Sequence, residues 1–87
     1  MPRFYFHISE NGLSATDEDG VLLPNLDEAE HEAAWALAEI AAEHSESGAR
    51  ESLQVVIADE AHTPVARVSL ILECERLRST RAWRKRN

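Results

Sequence analysis

Four histidines, one cysteine and a surplus of carboxylates are the residues that could do chemistry in this 87-residue chain. A zinc-protease helix carries two histidines one turn apart with a glutamate beside the first. His31-Glu32-Ala33-Ala34-Trp35 opens like that motif, but Trp35 stands where the second histidine is needed. His31 and His44 would sit about 20 Å apart along a helix rising 1.5 Å per residue, too far to share a metal. His7 lies in a strand pattern and His62 in a turn, neither with a partner at ligand spacing, so no metal site is expected. Asp17-Glu18-Asp19-Gly20 has part of a calcium loop but lacks its third oxygen position and distal glutamate. It reads as a polar turn. Cys74 stands alone at the end of an apolar strand, where a small hydrophobe is the ordinary role. The chain holds only 3 glycines and shows no nucleophile elbow, phosphate loop or dinucleotide fingerprint. So short a chain leaves little room for a pocket of about 300 Å³ or more. No catalytic residue and no cofactor is expected, and the chain reads as a non-enzyme.

The elements that would position these residues are clear. Asn25 to Ser47 reads as one long amphipathic helix, with Leu26, Ala29, Ala33, Leu37, Ile40 and His44 recurring on one face. Asn25 caps its first turn with Glu28 three residues on, Asp27 to Glu32 load its positive end with carboxylates, and Gly48 is the stop signal. Phe4, Phe6 and Ile8 alternate with Arg3, Tyr5, His7 and Ser9, a half-buried strand. Asn11-Gly12 marks a tight hairpin, returning through a weak second strand at Leu13 to Thr16 or, irregularly, on through Val21 and Leu22. Ser52 to Asp59 and Val65 to Leu72 read as two further strands joined by a short loop. The order β-β-α-β-β predicts an α+β domain over residues 1–72: a small antiparallel four-stranded sheet with one long helix packed on one face. Residues 73–87 form a basic tail, read as a short helix or a loose end.

Several of these pieces occur together elsewhere. Pro2-Arg3-Phe4-Tyr5-Phe6-His7, the loop Asp17-x-x-Gly20-Val21-x-Leu23-Pro24-x-Leu26-x-x-Ala29, the turn at Asp59-Glu60 and the strand Val65 to Leu72 resemble a family of short rhizobial and alphaproteobacterial proteins of unknown function. His62 stands where that family's second turn would carry glycine. The resemblance supports the fold and implies no catalytic residue.

Charge divides the chain. Residues 1–72 carry 14 carboxylates against 3 cations, a net of −11; residues 73–87 carry 6 cations against 2 carboxylates, a net of +4, which together give the −7 of the whole. With one cysteine no internal disulfide can form, which suits a reducing compartment. The chain has no apolar run long enough to span a bilayer and no signal-peptide pattern, so a cytoplasmic protein without membrane contact is expected.

Two surfaces remain once the core is assigned. Trp35 falls about 180° from Leu26 at 100° per residue, beside His31, Ala38 and Ala42, making an aromatic patch on the outer helix face. Tyr5, Val56 and Ile71, with Val65, point to the far face of the sheet. Both are candidate interfaces of an interaction or regulatory module, for a homo-oligomer or a partner protein, unless the tail through Leu77 and Trp83 covers the sheet face. The other reading is a nucleic-acid-associated regulator in which Arg78, Arg81, Arg84, Lys85 and Arg86 meet phosphates and Trp83 stacks on a base. The acidic body opposes it.

Overall fold

A computed structural model describes residues 1–46 and 48–77. Along the chain run β1 (Arg3–Glu10), β2 (Leu13–Ala15), β3 (Val21–Leu22), α1 (Leu26–Glu43), β4 (Arg50–Ala58) and β5 (Pro64–Glu73). Every pairing is antiparallel, in the order β2-β1-β4-β5, and β3 also pairs with β1. The fold is α+β, with five strands where four were expected.

The extra strand comes from one interruption. Asn11 and Gly12 take φ values of 51° and 90°, the double left-handed turn that suits a two-residue hairpin, and they set Leu13 opposite Glu10. β2 then follows β1 only as far as Ala15 opposite Ile8. The chain leaves the edge through Asp17-Glu18-Asp19-Gly20, residues that disfavour extended pairing, and returns as β3 opposite Arg3 and Phe4. The weak second strand is thus two short ones laid end to end along the same side of β1.

The helix begins as its sequence requires. Asn25 Oδ1 accepts the Glu28 N–H at 2.8 Å, and Asp27 and Glu28 occupy the first turn. Ala29, Ala33, Leu37 and Ala41 form the buried stripe, closing on Phe4, Leu53, Val55 and Ile57. Three alanines in that stripe let the helix backbone approach the sheet closely. Leu26 and Ile40 pack at the rim of this core, and His44 is half-buried.

Its far end is shorter than the periodicity predicts. His44 is the C-cap, its N–H donating to the Ala41 carbonyl at 3.0 Å, and Ser45 Oγ donates to the Ala42 carbonyl. These bonds satisfy two of the last four helix carbonyls, and the helix ends before Gly48 is reached. Gly48, at φ +86°, instead turns the chain into the sheet, donating to the Cys74 carbonyl at 2.7 Å. β5 extends to Glu73, and residues 74–77 have no regular structure. The expected nucleic-acid contacts Arg78, Arg81, Trp83, Arg84, Lys85 and Arg86 lie outside the described residues.

Leu37, fully buried between helix and sheet, is the largest side chain of the stripe. Replacing it with alanine should cost about 2–5 kcal/mol and lower Tm by roughly 10 °C or more, read by thermal unfolding.

Candidate interaction surfaces

Where β2 and β3 leave a gap on β1, a side chain fills it. Asp17 Oδ2 accepts the Phe6 N–H at 3.0 Å, standing in for the strand carbonyl that is missing there. Its other oxygen, Oδ1, accepts the N–H groups of Asp19 and Gly20, both at 3.1 Å, which ties the loop into a tight turn. Burial pushes the Asp17 carboxyl up, but the donors at Phe6, Gly20 and Asp19 and the His7 ring beside it outweigh burial and hold it below its ordinary value. The Asp17 N–H in turn points at His7 Nδ1, 3.2 Å away. Gly20 is needed at its place: φ is +74°, and a Cβ there would lie 2.7 Å from Arg3 Cγ and 3.0 Å from the Phe4 carbonyl oxygen. The sequence marks Asp17 as a turn residue, but not as part of the strand ladder.

The outer face of the sheet is more polar than its alternation suggests. Register places His7, Val56 and Arg67 in one row across β1, β4 and β5, with Ser9, Gln54 and Ser69 in the next. Ile71 lies beyond that second row, opposite Ser52, and is 61% exposed. Val56 is half-buried. Tyr5 stacks on His62, ring centroids 4.3 Å apart and 29° from parallel. His62 holds φ 64° in the turn between β4 and β5, the conformation that favours glycine. Asp59 anchors that turn, its Oδ1 accepting the Ala61 and Thr63 N–H groups at 2.9 Å. Tyr5, Val56 and Ile71 therefore share a face without forming one contiguous patch. Arg50 and Glu73 form an exposed ion pair at its end.

The helix face is different. Trp35 is 62% exposed, and His31, Ala38 and Ala42 on the same side are exposed as well. They stand together as helical spacing requires. Along the β1 side of the helix runs an apolar crevice of about 130 Å³, between Phe6, Ile8 and Leu23 on one wall and Ala33 and Ala36 on the other. Among the described residues no three His, Cys, Asp or Glu side chains converge as metal ligands, and no helix is long and apolar enough to cross a membrane.

These features define a small α+β domain: one helix on an antiparallel sheet whose first edge is closed by two short strands and a carboxylate. Residues 3–71 match the family described as Domain of unknown function (DUF6894), and the chain belongs to that family. No curated protein and no solved structure matches it significantly.

Asp17 and Gly20 lie within the matched residues, and their contacts give a pH signature. In Asp17→Asn the amide keeps one acceptor oxygen for the turn but sets an N–H₂ group against the Phe6 N–H, so stability should fall by about 1–2 kcal/mol at neutral pH. A lowered carboxyl pKa stabilises the fold fully above the unfolded-state pKa of about 4, and that contribution fades as pH drops through the folded value. Denaturant titrations should therefore show the gap between wild type and Asp17→Asn narrowing in acid. A gap that is constant down to low pH would contradict the assignment.

Proposed function

We propose that this domain is a non-catalytic interaction module that associates with itself and presents its helix face to a protein partner, working in the cytoplasm of a bacterium. The observation that carries the reading is Trp35, 62% exposed at the middle of α1 with small residues beside it. Tryptophan is enriched at interface centres, where one such residue can supply 2 kcal/mol or more, to order of magnitude, of binding energy. The exposed Ile71 on the opposite side of the molecule supports a second contact. The crevice beside α1, at about 130 Å³, is small for a metabolite. A bacterial, rhizobial-type origin rests on the opening Pro2-Arg3-Phe4-Tyr5-Phe6-His7 and the loop into the helix.

A second reading is favoured by one feature, the cationic tail with Trp83, which gives residues 73–87 a net charge of +4. In it the tail meets nucleic-acid phosphates and the folded body serves as a platform.

Trp35→Glu should leave Tm nearly unchanged, because the side chain is outside the core, and should weaken capture of a partner from the native cell at least tenfold, by roughly 1.4 kcal/mol. Undiminished capture would remove the helix face from consideration. The second reading expects binding to a labelled oligonucleotide that falls steeply with salt and vanishes when residues 78–87 are deleted. Binding that resists salt or survives the deletion would exclude it.

A further inference from the structure

The two edges of the sheet are finished in opposite ways. In an antiparallel ladder the N–H and C=O of one residue face one neighbour, and those of the next residue face the other. On β1 the outward set is Phe4, Phe6, Ile8 and Glu10. Phe4 is opposite Val21, Ile8 opposite Ala15 and Glu10 opposite Leu13, while the Phe6 N–H is taken by Asp17. β1 is covered on that side, and the strands left at that edge are only 3 and 2 residues long.

The same alternation identifies the outward groups of β5. The Ser52 carbonyl accepts from Asn11 N–H and the Ser52 N–H donates to Asn11 Oδ1, so Ser52 faces β1 and its neighbours Glu51 and Leu53 face β5. Their partners, Leu72 and Leu70, therefore face inward. Cys74 agrees, its N–H and C=O both engaged with residues 48 and 49. Arg67, Ser69, Ile71 and Glu73 thus point their backbone groups away from the sheet, and among the described residues none of these groups has a partner. Natural edges are usually blunted by proline, lysine, a bulge or an overlying segment. β5 has Pro64 and a register shift at its first residues, and from Ala66 onward only the two charged side chains Arg67 and Glu73.

We propose that this edge pairs with β5 of a second copy, antiparallel across a two-fold axis at Leu70, so that the two sheets become one. The proposal rests on the self-association in the reading above and names its surface. Charge selects the occupant. With the axis at Leu70, Arg67 of each copy lies directly opposite Glu73 of the other, and Ser69 opposite Ile71, so all four outward residues form hydrogen-bonded pairs. Arg67 and Glu73 are both exposed and share the outer face, and Glu73 already holds Arg50 of its own chain. Each seam end then runs cation, carboxylate, cation across three strands. On the helix side, Leu70 meets its own symmetry mate and Val68 meets Leu72. These side chains pack on the core yet remain only half-buried in one chain, and a second copy would complete their burial. The arrangement is isologous, which closes the assembly at two copies.

Sedimentation equilibrium of the full chain, with amide exchange followed by NMR, tests the pairing. The wild type should dimerise, and the Arg67, Ser69, Ile71 and Glu73 amides should exchange slowly when concentrated and quickly when diluted. Ser69→Pro removes an outward N–H without touching the β4 ladder, so it should keep the folded spectrum and lose the dimer. Arg67→Glu sets like charges opposite each other twice and should weaken dimerisation about tenfold, even if Ser69→Pro proves unfolded. A folded Ser69→Pro variant that still dimerises, or an undiminished Arg67→Glu dimer, would overturn the edge pairing. If Trp35→Glu then broke that dimer, self-association would stand and move to the helix face. A monomeric wild type would overturn both the pairing and self-association. A monomer whose outward amides remain slow would assign the edge to residues 78–87 and equally overturn the pairing.

Discussion

One helix is too narrow for this sheet, and most of the structure follows from that mismatch. An α-helix with its side chains is about 10 Å across and strands are spaced at about 4.8 Å, so a single helix covers roughly two of them. Here α1 lies over β4 and β5, and its alanine-rich stripe presses on Leu53, Val55 and Ile57. β4, flanked by strands on both sides and covered by the helix, supplies the most buried side chains of the sheet. Beyond Phe4, which is buried in the core, the inner side of β1 is left at the margin. Phe6 and Ile8 are consequently half-buried, and the crevice beside Ala33 and Ala36 is the space that the helix does not reach.

The same economy governs the edges. A chain with one short return strand cannot pair the whole of β1, so β2 and β3 cover its two ends and the Asp17 carboxylate satisfies the amide between them. The carboxylate does this better than a neutral side chain would. It accepts from three backbone donors while the Asp17 N–H points at the His7 ring, so the loop and the strand are fixed together. Gly20 completes the arrangement by allowing the loop backbone to pass close to Arg3 and Phe4. Among the described residues nothing comparable lies alongside β5. That asymmetry turns a folding constraint into a surface with a directional hydrogen-bonding pattern.

Much of this was legible from residue order. The hairpin at Asn11-Gly12, the Asn25 cap, the alternation of β1 and β5 and the i, i+4 stripe of α1 are local patterns, each enforced by its own backbone geometry. The exposure of Trp35 beside His31, Ala38 and Ala42 follows from helical periodicity alone. Less legible were features set by one segment meeting another. Ala41, not Ile40, completes the buried stripe because the helix leans toward β4 and β5. Tyr5 is covered by His62 only because the β4–β5 turn folds over the end of β1. Tyr5, Val56 and Ile71 share parity, yet strand register spreads them along the sheet.

The sequence by itself determined the class of fold, the position of the helix and the strands, and the separation of an acidic body from a basic tail. These depend on periodicity, turn chemistry and charge, all of which act between near neighbours in the chain. Tertiary structure alone decided which strands lie side by side, which edge is closed, and that Asp17 belongs to the ladder. Those outcomes depend on register and on how far one helix can reach, and residues distant in the chain settle both only when they pack.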